Sequence, residues 1–296
     1  MDGLIEHEKL ENTFPTMIVA FAGWPDAAEA ATRAIRYLVR KLPAKKFAEI
    51  DPEDFYDFTT VRPHTRVNRK GERIMRWPRN DLYYFESEEE TRRVLLFVGT
   101  EPNLKWRAYS NILTTVAHDH GVKLIISLGA LLDAVPHTRN PRITGRASSD
   151  ELTQKAEWLG IRNSGYQGPT GIHTAFMDAC AKLHIPHASI WGHCPHYVQT
   201  SPDPKVSHAL LTRLRSLVDV DVDLDELRLA ADAYQTEVDK IISKQPDVTS
   251  YVSRLEQRYD AAHASTEEIP SPDTMVRELE DFLRSQRQNT ENTEES

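Results

Sequence analysis

The chain has 296 residues and a mass of 33.8 kDa, long enough to bury a core without disulfide or metal staples. Its 45 acids against 36 bases give a net charge of −9, which argues against nucleic acid and anionic membranes as partners. Only two cysteines, Cys180 and Cys194, and only 12 glycines exclude a disulfide framework and a fibrous chain, and point to a reducing compartment.

The opening MDGLIEHEKLENTFP is acidic and lacks a basic start followed by an apolar run, and no apolar stretch approaches the ~18 residues of a membrane span. A soluble cytoplasmic protein is expected. TMIVAFA (16–22) reads as a buried strand ending at Gly23. The helix after it has Ala27, Ala30, Ala31, Ala34, Ile35, Leu38 and Leu42 at helical spacing, with Asp26 and Glu29 placed as a capping box. Between 46 and 85 the short aromatic and charged runs FAEID, FYDFT, RIMRW and DLYYFE read as peripheral or antiparallel strands. Glu88, Glu89 and Glu90 read as a solvated turn. RRVLLFVG (92–99) is the next strand, followed by an amphipathic helix that closes at Gly121. VKLIISLG (122–129) is a third strand ending on glycine. GYQGPTG (165–171) opens a helix whose N-terminal amides suit an anion. Cys180 falls on that helix as a core residue. HIPHASIWGH (184–193) is a fourth strand and PDPKVSHALLTRLRSLV a helix.

Alternating apolar strands and helices predict a three-layer α/β/α sandwich around a mainly parallel sheet. From residue 221 onward the composition changes: 19 acids face 8 bases and there is no glycine. Residues 1–220 therefore form a nearly neutral α/β body, and 221–263 a helical hairpin extension. Its first helix carries an a/d seam of Leu224, Leu227, Ala231, Tyr234, Val238 and Ile241, and Pro246 breaks it. The second helix puts Val248, Tyr251, Val252, Leu255 and Tyr259 on one face. Residues 264–296 read as a linker, the short helix MVRELEDFLRSQ and a disordered acidic tail.

Ligands of parallel sheets bind beyond the carboxyl ends of the strands. That edge gathers the candidate ligand-binding residues Gly23, Trp24, Asp26, Glu101, Pro102, Trp106, His137, Arg139, Tyr166, Gly168, His196 and Tyr197. Glu101 and Asp133 are candidate acid/base groups. Arg62, His64, His137, Arg139 and His196 would make a basic mouth for a small anion, while no basic stripe is read that would suit a large polyanion. GYQGPTG lacks the ending of a phosphate P-loop, no GxGxxG or GxSxG is present, and neither cysteine lies in a nucleophile signature. Alternate side chains of His193-Cys194-Pro195-His196 face opposite ways on a strand, which argues against zinc. No metal, cofactor or catalytic residue is assigned.

In order and spacing, AGWPDAAEAA (22–31), the Arg62-Pro63 pair, GTEPNLKW (99–106), LGALLDAVPHTR (128–139), GYQGPTG and CPHYVQTSPDPK (194–205) resemble the proteasome assembly chaperone 2 family in its actinobacterial-type long form. VSRLEQRYD (252–260) is similar to its helical C-terminal part. The resemblance implies a nucleoside-phosphorylase-like fold and homo-oligomers, with trimers among them. The phosphorylases' phosphate- and base-binding residues do not map onto this chain. Two readings remain. One is a non-enzymatic scaffold or assembly-chaperone-like protein whose extension offers partner surface. The other is a small-ligand protein, or a hydrolase or phosphorylase, using the strand-end mouth.

Overall fold

A computed structural model describes residues 3–163 and 165–264. The linker, short helix and tail expected beyond Ala264 lie outside the described residues. In chain order the elements are β1 (Leu4–Glu6), β2 (Thr16–Ala22), α1 (Ala30–Lys41), β3 (Lys45–Ile50), β4 (His64–Val67), β5 (Arg73–Arg76), β6 (Asp81–Phe85), β7 (Val94–Thr100), α2 (Trp106–Asp119) and β8 (Leu124–Asp133). They continue with β9 (Ile143–Ala147), α3 (Asp150–Trp158), α4 (Ile172–Lys182), β10 (His187–Pro195), α5 (Pro204–Leu217), α6 (Asp225–Ile242) and α7 (Pro246–Ala264).

Eight strands form one sheet in the order β1-β3-β6-β7-β2-β8-β10-β9. The middle four, β7, β2, β8 and β10, run parallel, because a helix carries the chain back between them. Antiparallel strands close both flanks: β6, β3 and β1 beyond β7, and β9 beyond β10. Strand β2 shows why such a run is apolar throughout. Ile18 and Ala20 face one core, packed by α1, α5 and α6, whereas Met17, Val19 and Phe21 face the other, packed by α2 and α4. The result is the three-layer α/β/α sandwich, with Cys180 fully buried in the second core.

Residues 46–85 split three ways. FAEID and DLYYFE join the sheet, RIMRW pairs with β4 in a separate two-stranded hairpin, and FYDFT is not a strand. There Asp57 accepts from the backbone and hydroxyl of Thr59, folding the segment into a turn that leaves Phe55 and Tyr56 buried. The capping box is also corrected. The buried Asp26 carboxylate accepts from the Ala31 and Thr32 amides at 2.8 and 3.1 Å. Glu29, however, takes the N-cap position at φ +51° with no return bond, following Ala28 at φ +50°.

The extension packs on its own body. Leu224 and Leu227 belong to the first core. The Tyr37 hydroxyl donates to the Asp223 carbonyl at 2.9 Å, and Glu226 pairs with Arg40 and Lys41. Along the seam Leu224, Leu227, Ala231 and Val238 are buried, whereas Ile241 at the far end is exposed.

Candidate functional site

The strand ends do not stop where the glycines suggested. β8 and β10 run past Gly129 and Gly192 and stay paired to Asp133 and Pro195, beyond the end of β2. Both glycines serve close packing. A Cβ at Gly129 would stand 2.6 Å from the Trp191 ring, and one at Gly192 would stand 2.3 Å from Val206 Cγ1. At Gly23 the expected sharp turn is real, with φ +112°.

Bonds gather the candidate residues into two groups. The first lies where α1 leaves β2 on one face of the sheet and α2 leaves β7 on the other, the crevice in which open α/β sheets bind ligands. Here the crevice holds the protein's own carboxylate. Glu101 accepts from the Ile172 amide, the first of α4, at 2.8 Å. A Cβ at Gly171 would lie 2.7 Å from Glu101 Oε1 and 3.1 Å from the Trp24 ring. Burial pushes the Glu101 carboxyl up, and the Ile172 and Trp24 amides pull it only part-way back. Around it, Trp106 Nε1 donates to the Pro102 carbonyl at 2.5 Å, and the Tyr166 hydroxyl, beside Gly168, donates to the Pro169 carbonyl at 2.9 Å. The helix N-terminus proposed for an external anion is thus engaged by Glu101. Asp26 stands apart as the α1 cap, its carboxyl raised by burial against the bonds from Thr32 and Ala31.

The second group lies under the extension. The His137 ring bonds the Tyr197 hydroxyl at 2.7 Å and Asp239 of α6 at 2.9 Å. Arg139 makes a two-pronged pair with Asp260 of α7, at 2.8 and 2.7 Å, and reaches Glu256 at 3.2 Å. His196 bonds the Asp133 carbonyl at 3.0 Å and the Tyr251 hydroxyl at 3.4 Å. Tyr259 donates to the Asn140 carbonyl at 3.0 Å. Burial lowers the pKa of His137 more than Asp239 raises it, and burial likewise lowers His196. Arg62 and His64 are not part of this mouth. The sequence reading missed Asp239, Tyr251, Glu256 and Asp260 as partners; the signal available was the excess of acid in the extension.

Between these groups Asp133, His193 and Thr144 form a chain in acid–base relay order. Asp133 Oδ2 meets His193 Nδ1 at 2.6 Å, and His193 Nε2 meets Thr144 Oγ1 at 2.9 Å. Burial alone would raise the Asp133 carboxyl, but the His193 bond and the Arg142 charge, 3.7 Å away, hold it below its ordinary value. All three side chains are buried, and the chain ties β8, β10 and β9 together. The neighbouring Cys194 thiol points instead to the Ala27 carbonyl, so His193 and Cys194 face opposite ways, as alternate residues of a strand must.

A sequence model described as the PAC2 family matches residues 20–242. The chain belongs to the PAC2 family. That match runs from the end of β2 through α6, so it includes Asp239 and stops short of α7. A PAC2 family protein from Streptomyces avermitilis has a crystal structure with 38% identity and a TM-score of 0.71, covering 80% of this chain and 99% of its own. A Mycobacterium tuberculosis proteasome-assembly chaperone homologue shows 35% identity, a TM-score of 0.72 and the same two coverages. Pyrococcus furiosus PbaB, an archaeal proteasome activator, is 16% identical with a TM-score of 0.65 and shares the fold. Among curated proteins no match is found. No helix among the described residues is long and apolar enough to cross a membrane.

Within this PAC2 chain the clearest opening at the carboxyl end of β7 is one the sequence reading overlooked. A cleft of about 490 Å³ is lined by Arg62, His64, Arg66, Arg76, Arg79 and Trp77. It is the inner side of the β4–β5 hairpin, which overturns the expectation that no basic stripe exists. Residues 62–79 hold seven Arg or Lys side chains against one acid, Glu72.

Proposed function

We propose that this PAC2 family chain is a non-enzymatic, homo-oligomeric scaffold of the cytoplasm that works as an assembly chaperone, with proteasome subunits as its clients and a trimer as its working form. The observation that carries this reading is the use made of the strand-end side chains. His137, Arg139 and His196 spend polar atoms on holding α6 and α7 in place, and the Tyr197 hydroxyl fixes the His137 ring. The description of the Mycobacterium tuberculosis relative as a proteasome-assembly chaperone homologue supports the client class. Co-expression with the proteasome α and β subunits of the same organism tests it. The protein is expected to co-purify with α or β assembly intermediates and to raise the yield of assembled particles on native gels. Equal yields with and without it, and no co-purification, would overturn the reading. Light scattering after size exclusion checks the trimer.

A second reading is favoured by the Asp133–His193–Thr144 chain and by the raised Glu101 carboxyl in the switch-point crevice. On it, the protein binds a nucleoside-like or small anionic ligand, or hydrolyses or phosphorolyses one, at the strand ends. Thermal-shift screening with nucleosides, nucleotides and phosphate decides it. A stabilising ligand whose effect is lost in Glu101→Gln would displace the scaffold reading.

A further inference from the structure

The β4–β5 hairpin is incomplete as it stands. Every residue of both strands is exposed, and the two strands form a sheet of their own. Two-stranded ribbons in water are marginal unless something packs on them. Among the described residues the root is secured by Trp77, which packs on Phe58 with ring centroids 4.8 Å apart. Beyond it, Ile74 is exposed beside Arg66 and Arg76 on the face toward the cleft, and Val67 and Met75 are exposed beside Arg73 on the other face. No carboxylate among the described residues lies within ion-pair distance of Arg62, Arg66, Arg69, Lys70, Arg73, Arg76 or Arg79. This surface is both apolar and strongly basic, and it calls for an occupant that is apolar and acidic.

The chain carries such a segment. From Ser265 to Ser296 there are nine acids and three arginines, so the net charge of −6 equals in size the +6 of residues 62–79. Within it Met275, Leu279 and Phe282, three and four apart, alternate with Glu278, Glu280 and Asp281. The segment also starts in the right place. α7 ends at Ala264 over the strand-end loops, held there by Asp260 and Tyr259, while the hairpin cleft includes Thr100 at the end of the parallel strand β7. Both lie at the same edge of the sheet. The ten residues 265–274 can span about 33 Å when extended, enough to cross that edge.

We propose that residues 275–283 dock on the cleft-side face of the β4–β5 hairpin of their own chain, with Glu278, Glu280 and Asp281 meeting Arg66 and Arg76 and with Met275, Leu279 and Phe282 covering Ile74 and the arginine stems. The inference goes beyond the assembly-chaperone reading and stands or falls separately from it.

Hydrogen exchange of the full-length protein, followed on peptides covering 62–79, tests it. Three charge-swapped forms are compared with the wild type: Glu278→Lys, Glu280→Lys, Asp281→Lys in the tail; Arg62→Glu, Arg66→Glu, Arg76→Glu in the hairpin, all three lining the cleft; and the two sets combined. Either set alone is expected to speed exchange in the hairpin about tenfold, and the combined form to restore protection. Protection in the wild type is expected to be unchanged over a wide range of protein dilution. Hairpin exchange that is unaffected by the tail variant would overturn the proposal and leave the basic ribbon to an external polyanion or acidic partner. Protection that falls on dilution would also overturn it, by assigning the hairpin to the tail of a second copy.

Discussion

His173, the second residue of α4, is fully buried between Phe21 and Trp191, and neither ring nitrogen has a hydrogen-bond partner among the described groups. Burial lowers its pKa from 6.5 to about 3. Below pH 6.5 the unfolded chain takes up a proton that the folded chain refuses. The associated stability is therefore complete above 6.5 and is lost as pH falls, by about 2 kcal/mol at pH 5. His173→Phe keeps the ring and removes both orphaned nitrogens, so it is expected to stabilise the protein by about 1–2 kcal/mol at neutral pH. Its advantage over the wild type should widen on going to pH 5 in urea titrations at the two pH values. A variant no more stable than wild type at both would mean that the ring is satisfied in solution. Nothing in the local sequence marked this residue. A histidine two positions into an amphipathic helix becomes conspicuous only when Phe21 and Trp191, from two distant strands, close over it.

At the scale of elements, the paired arm of β8 and β10 depends on two glycines that admit neighbouring side chains. Gly192→Ala would press a methyl group against Val206 of α5 and is expected to cost about 1–3 kcal/mol. Val206→Ala removes the methyl it meets, so the double variant should recover part of that loss in a double-mutant cycle. Purely additive losses would mean that the backbone, not Val206, limits the site. Here the sequence was legible in part. The central strands could be read because burial on both faces makes them continuous apolar runs. Their ends could not, because a glycine that stops a strand and one that lets a helix approach look alike until Val206 or Trp191 is placed beside it. The latch between α7 and the loop after β8 was illegible for a related reason: Arg139 and Asp260 lie 121 residues apart. Arg139→Ala is expected to speed amide exchange throughout α7 while leaving β2 and β8 unchanged; equal exchange in α7 would show that the buried Val252 and Leu255, with the Tyr251 and Tyr259 bonds, hold the helix without Arg139.

For the molecule as a whole, charge is divided between parts that face each other. Residues 1–220 carry +2 and the remainder −11, and the contacts at His137, Arg139 and Arg40 bring these parts together. The sequence disclosed the division but not where the acids land. It also hid the hairpin's seven cations within a body that sums almost to neutral. Burial lowers His137 and His196 as well as His173, so all three withdraw stability as pH falls below about 6.5, each by up to about 1.4 kcal/mol per pH unit. Asp26, Glu101 and Asp203 are raised by burial and act in the opposite sense, favouring the folded state where they are protonated. Because the histidines titrate at higher pH, the melting temperature is expected to drop between pH 7 and pH 5.5 before any carboxyl effect appears. Burial lowers His120 and His208 too, and a flat profile over that range would contradict these lowered histidines.

The latch also orders events during synthesis. His137, Arg139 and His196 have all been made once β10 and the residue after it are complete, yet Asp239, Tyr251, Glu256 and Asp260 are translated later. At about 5–20 residues per second, the ribosome needs a few seconds to make the 40 or so residues from 221 to 260. For that interval the nascent body stands with its basic mouth open, and the chain's own acidic helices are the first anions certain to arrive there at high local concentration.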